Sequence, residues 1–117
     1  MTTVLIDGRN VQRSRWPNLS DEELVELVQA WAEQNEHEVV LVFDGHAQGG
    51  LVGTERVDER TALIGTGGES ADDWLIREAP KYPGAWLVTS DRALREAAGQ
   101  AMERLIGGGT FLRELDD

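Results

Sequence analysis

The 117 residues are 40% hydrophobic and 28% charged, include no cysteine, and carry a formal net charge of -11 at pH 7. A chain of this length buries roughly two thirds of its unfolded surface, so one compact domain over residues 1–117 is expected and a disordered tail is excluded. The lack of cysteine excludes a disulfide framework and thiolate metal sites, and the acidity argues against a general nucleic-acid coat protein, whose affinity would rest on Lys and Arg.

The opening MTTVLIDGRN has no basic region followed by a long apolar run, and no later segment approaches the roughly 20 apolar residues of a membrane span. No membrane association is expected, and a cytoplasmic setting is. Val4 to Ile6 is a short apolar run closing in Asp7-Gly8, the pattern of a buried strand entering a turn. Arg9, Arg13 and Arg15 follow it and can form a local positive lobe against the global deficit. Trp16 beside them is placed to stack on a base, although solvated surface residues would explain the same pattern.

Ser20-Asp21-Glu22-Glu23 has the form of a capping box, and Leu24, Leu27, Val28 and Trp31 recur at helical spacing, which predicts a helix from Asp21 to about Gln34. Val39 to Phe43 is a continuous apolar run, predicted as a strand buried on both faces, and it ends in Asp44-Gly45. Between His46 and Gly68 the periodicity fades, so a flexible segment is expected with a short strand near Ala62 to Ile64. His46 reads as a solvated loop residue and His37 as a surface one.

Ser70 caps a predicted helix carrying Ala71, Trp74, Leu75 and Ala79 that ends before Pro80. Ala85 to Thr89 reads as a strand leading into Ser90-Asp91, and a helix over Arg92 to Ala98 is stopped by Gly99. A last strand over Met102 to Ile106 and a turn near Phe111 to Leu115 complete the chain, with Trp31, Trp74 and Trp86 at core positions. Strands alternating with helices predict a parallel, doubly wound sheet, whose ligands bind outside the carboxyl ends of the strands.

Asp7, Asp44 and Asp91 should converge there. Asp is a poor strand residue, so three strands each ending in one is more than surface solvation explains, although each alone could be a turn or cap. Glu69-Ser70-Ala71-Asp72-Asp73 adds carboxylates at a helix start. Asp73 sits where a capping box would use it, whereas Asp72 lies off the apolar stripe and can face the strand ends. Two carboxylates about 4 Å apart repel by roughly 4 kcal/mol at an effective dielectric of 20, and a divalent cation relieves that conflict. Mg²⁺ or Mn²⁺ prefers oxygen donors and keeps open positions, which suits metal-assisted phosphodiester hydrolysis.

The ordered motifs Val-Leu-Ile-Asp-Gly-Arg-Asn at 4–10, Val-Leu-Val-Phe-Asp-Gly at 40–45, Gly-Glu-Ser-Ala-Asp-Asp-Trp at 68–74 and Val-Thr-Ser-Asp-Arg at 88–92 resemble the YacP-like NYN domains of the PIN-like nucleases. The resemblance implies a three-layer α/β/α sandwich with a central parallel sheet of strand order 3-2-1-4-5, and endonucleolytic cleavage of RNA by a carboxylate-bound Mg²⁺ or Mn²⁺. It assigns Asp7, Asp72 and Asp91 as metal ligands, with Asp73 as a further catalytic carboxylate that binds the metal or holds a water. Asn10 would orient the substrate or a ligand, and Ser90 would steady Asp91 or a phosphate; apart from the resemblance, Arg9 and Arg13 of the positive lobe are expected to bind substrate. Asp44 and Glu69 would be peripheral acids. RNA is the expected partner, and a homodimer or ribosome association is a further expectation.

Two other readings compete. A receiver-type phosphoacceptor domain would call for paired acids after the first strand and a lysine after the last, whereas Asp7 precedes Gly8 and the lone lysine, Lys81, precedes a strand. A noncatalytic RNA- or protein-binding module on the same fold would have no need of Asp7, Asp72 and Asp91 together.

Overall fold

The computed structural model describes residues 1–116. β1 (Thr3–Asp7) runs directly into a short helix, α1 (Gly8–Gln12), and then through a loop to α2 (Asp21–Asn35) and β2 (Glu38–Phe43). The hairpin β3 (Gly53–Arg56) and β4 (Thr61–Gly65) follows, then α3 (Ala71–Glu78), β5 (Trp86–Val88), α4 (Arg92–Ala98), β6 (Arg104–Ile106) and α5 (Gly108–Leu115).

α2 starts as its sequence dictates. Ser20 Oγ accepts the Glu23 amide at 3.1 Å and Glu23 returns a carboxylate to the Ser20 amide at 3.0 Å, so two otherwise orphaned donors of the first turn are satisfied. Leu24, Val25, Val28, Trp31 and Ala32 then face the sheet.

The sheet has six strands in the order β3-β4-β2-β1-β5-β6. All neighbours pair in parallel except β3 with β4. Counting only the parallel strands gives the expected 3-2-1-4-5 order; the correction is the antiparallel edge strand β3. Alternate residues feed two cores. Val4, Ile6, Leu41 and Phe43 pack under α2 and α5, while Leu5, Val42, Ile64 and Leu87 pack under α3 and α4. The result is a three-layer α/β/α arrangement, in which the parallel strands are covered on both faces.

Two expectations need correcting here. Residues between His46 and Gly68 form a hydrogen-bonded hairpin in place of a flexible stretch: Asp58 Oδ1 accepts the Arg60 and Thr61 amides at 2.7 and 2.8 Å and turns the chain into a fully buried β4. The C-terminal turn is a helix, α5, whose Phe111, Leu112 and Leu115 are buried despite the weak helix propensity of Gly108 and Gly109. Among the described residues, no helix is long and apolar enough to cross a membrane.

Candidate active site

The sheet reverses its order between β1 and β5, and the chemistry collects at that point. Asp7 ends β1, Asp44 follows β2, Asp91 caps α4 three residues after β5, and Asp72 sits in the first turn of α3. With Arg9, Asn10, Arg13 and Ser70 they line one cleft of about 220 Å³. A groove of about 450 Å³ lies elsewhere, beside Gln48, Leu51 and Glu55, so volume does not single out the site. The convergence of carboxylates does.

Local packing forces this geometry. A Cβ on Gly8 would lie 2.9 Å from the Val42 carbonyl oxygen, so only glycine lets β1 turn into α1 this close to β2 and present Asp7 at the floor. Asp44 Oδ1 accepts the Ala71 amide at 2.6 Å, tying the end of β2 to the start of α3. Asp91 Oδ1 accepts the Leu94 amide at 2.9 Å as the cap of α4. Among the described residues, the second oxygens of Asp44 and Asp91 and both oxygens of Asp72 accept no hydrogen bond.

Asp7 is 5% exposed. Burial pushes its carboxyl up to about 6, and the Asp72 and Asp44 charges add to that, while the Thr89 hydroxyl and the nearby Asn10 amide oppose it. Asp72 is also raised, first by burial and then by Asp91, Asp44 and Asp73. These carboxylates therefore repel one another across the cleft.

Thr89 is the residue that sequence reasoning missed. It is fully buried; its hydroxyl donates to Asp7 Oδ2 at 3.1 Å and accepts the Asp91 amide at 3.2 Å, joining the ends of β1 and β5 through one oxygen. Threonine at the end of a β-branched run reads as strand, and only its position before Ser90-Asp91 hints otherwise. Arg95 Nε holds the Thr89 carbonyl at 2.8 Å from the other side.

Asn10 Oδ1 accepts the Ser90 amide at 3.0 Å, which leaves its Nδ2 group as a donor at the cleft. Ser90 does not steady Asp91. Its Oγ accepts the Gly108 amide at 2.8 Å and anchors α5, so its role there is to seat a helix.

Two predicted acids lie outside the cleft. Glu69 forms a two-pronged pair with Arg77, which lowers its pKa and fixes it on the outer side of α3. Asp73 is exposed, its amide is capped by Ser70 at 3.0 Å, and it touches the site only through its charge on Asp72. The basic lobe is also smaller than expected. Arg9 pairs with Asp21 at 2.7 Å and Arg15 with Asp116 at 3.1 Å, leaving Arg13 as the arginine of the three with no ion pair among the described residues.

The donor set suits a hard divalent cation: carboxylate oxygens left unpaired on Asp44, Asp72 and Asp91, raised pKa values for Asp7 and Asp72, and no thiolate or imidazole among the residues that line the cleft. Among the described residues no three such side chains stand close enough together to hold one ion as placed, so at most two of the cleft's carboxylates reach it directly, a number Mg²⁺ accepts because it retains several waters. The residues present fit such an ion.

Comparison with known proteins agrees with the fold and the motifs. The profile of the YacP-like NYN domain matches residues 4–116. The crystal structure of a single-substitution mutant of Rae1 (YacP) from Bacillus subtilis is similar at 26% identity with a TM-score of 0.69, over 99% of this chain and 76% of that one. The structure of unmutated Rae1 (YacP) from the same organism aligns with a TM-score of 0.72 at 19% identity, covering 99% of this chain and 74% of that one, a likeness of fold. No curated protein matches the chain. With nearly its whole length matched, the chain belongs to the YacP-like NYN domain family, within the PIN-like nucleases.

Proposed function

We propose that residues 1–117 act as one metal-dependent endoribonuclease domain that hydrolyses RNA phosphodiester bonds in the cleft at the ends of β1, β2 and β5. The observation that carries this reading is the meeting of Asp7, Asp44, Asp72 and Asp91 in one cleft, where burial pushes the Asp7 carboxyl up to about 6. Mg²⁺ or Mn²⁺ bound by Asp7, Asp72 and Asp91, directly by one or two of them and through retained waters by the rest, would neutralise this charge and supply Lewis acidity to the phosphodiester.

The protein groups have separable tasks. Thr89 fixes the spacing of Asp7 and Asp91 by bridging them. Asn10, oriented by Ser90, offers Nδ2 to a phosphate oxygen, and Arg13 brings positive charge to the rim. Arg9 is held between Asp21 and the Phe43 ring, 5.2 Å from its centroid, and acts mainly as a fixed wall. Asp44 ties β2 to α3 and shapes the field felt by Asp7. Such a domain would act on RNA in the cytoplasm, alone, as a homodimer or at the ribosome.

Cleavage of a labelled single-stranded RNA in Mn²⁺, abolished by EDTA and by Asp72→Asn, is the expected result. If neither metal supports cleavage of any RNA tested, the noncatalytic module becomes the better reading.

A further inference from the structure

Three of the four tryptophans pack into the molecule, and the fourth does not. Trp31 is buried and Trp74 and Trp86 are half-buried, whereas Trp16 is 88% exposed. A lone exposed Leu would mean little, but a fully presented indole at a loop tip is a large apolar surface left in water.

The loop that carries it is pinned. Ser14 Oγ donates to the Asn10 carbonyl at 2.7 Å, the Leu19 amide donates to the Gln12 carbonyl at 3.3 Å, and Arg15 reaches Asp116 at 3.1 Å. Leu19 is buried and closes the loop, while residues 13–18 between these anchors are all exposed. Trp16 is therefore displayed by fixed backbone, at low ordering cost to any partner.

Its position relates it to the cleft. Arg13 lines the cleft and lies three residues before Trp16, so the two Cα atoms are within about 11 Å, a span covered by one to three nucleotides of single strand. Arg13 also supplies the charge complement: it carries no ion pair among the described residues of a chain with net charge -11.

We propose that Trp16 is a stacking platform for an unpaired base of the RNA strand whose phosphate occupies the carboxylate cleft, with Arg13 holding the backbone between them. This rests on the nuclease reading above and adds a substrate-positioning residue to it. Stacking needs a base free of its helical neighbour, so the platform favours single-stranded over duplex RNA.

The test uses the full chain and a short labelled RNA with Mn²⁺. Trp16→Ala should raise KM roughly tenfold to a hundredfold with kcat nearly unchanged, and Trp16→Phe should restore most of the loss. Replacing one nucleotide at a time by an abasic linker should find a position where wild-type protein loses the same factor and Trp16→Ala loses nothing more. The salt dependence should stay as in wild type for Trp16→Ala, because stacking is neutral, and flatten by roughly 0.7 in logarithmic slope for Arg13→Gln. Equal KM for wild type and Trp16→Ala overturns the proposal, and if self-association fell at the same time the indole would be assigned to a second copy of this chain. Absence of cleavage by wild-type protein would instead overturn the nuclease reading, and RNA binding in EDTA, followed by the part of the tryptophan quenching that Trp16→Ala removes, would still decide the platform.

Discussion

The two ends of the same parallel strands are built on opposite principles. At the carboxyl ends, Asp7 is buried among like charges and held above its ordinary pKa. At the amino ends, His37 sits between the rings of Trp31 and Trp86, with centroids 5.0 and 4.8 Å away, and Trp31 meets Phe111 edge-on at 4.9 Å. One end concentrates groups that repel, and the other concentrates groups that pack. The contrast separates the residues that oppose folding from those that drive it, which is expected if the first set is retained for chemistry.

The most direct way to break the contrast is to exchange its consequences. Asp72→Asn should lower kcat/KM by more than roughly a hundredfold while leaving the melting temperature of the metal-free protein unchanged or higher, since it removes a repelling charge at constant volume. Trp31→Ala should do the reverse, destabilising by about 3–5 kcal/mol while the folded fraction retains its kcat. Steady-state kinetics and thermal melts on the same two preparations check both. Normal turnover by Asp72→Asn would remove that residue from the mechanism.

A second variant measures how much the polar end opposes folding. Burial lifts the Asp7 carboxyl from 3.8 to about 6, so between those values the native state keeps a proton that the unfolded chain has lost. Stability must then fall as pH rises through that window and stay low above it, by up to about 3 kcal/mol. In EDTA, Asp7→Asn should recover much of that loss at pH 7 and show little gain near pH 3.5. Melts at the two pH values give the difference directly, and an equal effect at both would mean that Asp7 is not held protonated.

These two ends were not equally legible in the sequence. Strand-terminal aspartates and the capping box of α2 are local signals, and both landed where the residue types placed them. β3 escaped because its four residues are exposed on an edge strand with no apolar alternation, and α1 because five residues are too few to show a period. Thr89 and the Arg9–Asp21 pair escaped for another reason: each depends on which elements meet, 82 and 12 residues apart. His37 was expected at the surface, and the approach of α2 to β5 half-buries it.

A bound ion should cancel the repulsion and reduce the contrast. Mn²⁺ at about 100 times its dissociation constant adds roughly 2.7 kcal/mol if it binds only the native state, a melting shift on the order of 10 °C for a domain near this size. Asp7→Asn and Asp91→Asn should shrink the shift. Glu33→Gln, in a separate acidic groove with Asp58 and Glu59, should leave it intact. A shift matched by monovalent salt at equal ionic strength would indicate general screening of an acidic protein.

The smallest expected effect comes from the packed end and has the opposite sign in pH. Burial lowers the His37 pKa below its ordinary 6.5, the Glu114 charge works against that lowering, and the chain's amino terminus adds to it. The unfolded chain therefore takes up a proton before the native state does, and stability is lost as pH falls below 6.5, where Asp7 is regaining its own. In the wild-type protein the two slopes partly cancel between pH 4 and 6.5. Asp7→Asn should remove the larger opposing slope, leaving only the smaller one of Asp72 against that of His37, seen as a melting temperature that rises with pH over that range. Adding Glu114→Gln should steepen it, because the protonated ring then loses the carboxylate charge that favours it. His37→Gln should flatten it while costing roughly 0.5–1.5 kcal/mol per lost aromatic contact at every pH. If the double variant of Asp7 and His37 kept the same rising slope as Asp7→Asn, the imidazole would play no part in it, and the amino ends of the strands would be packing alone.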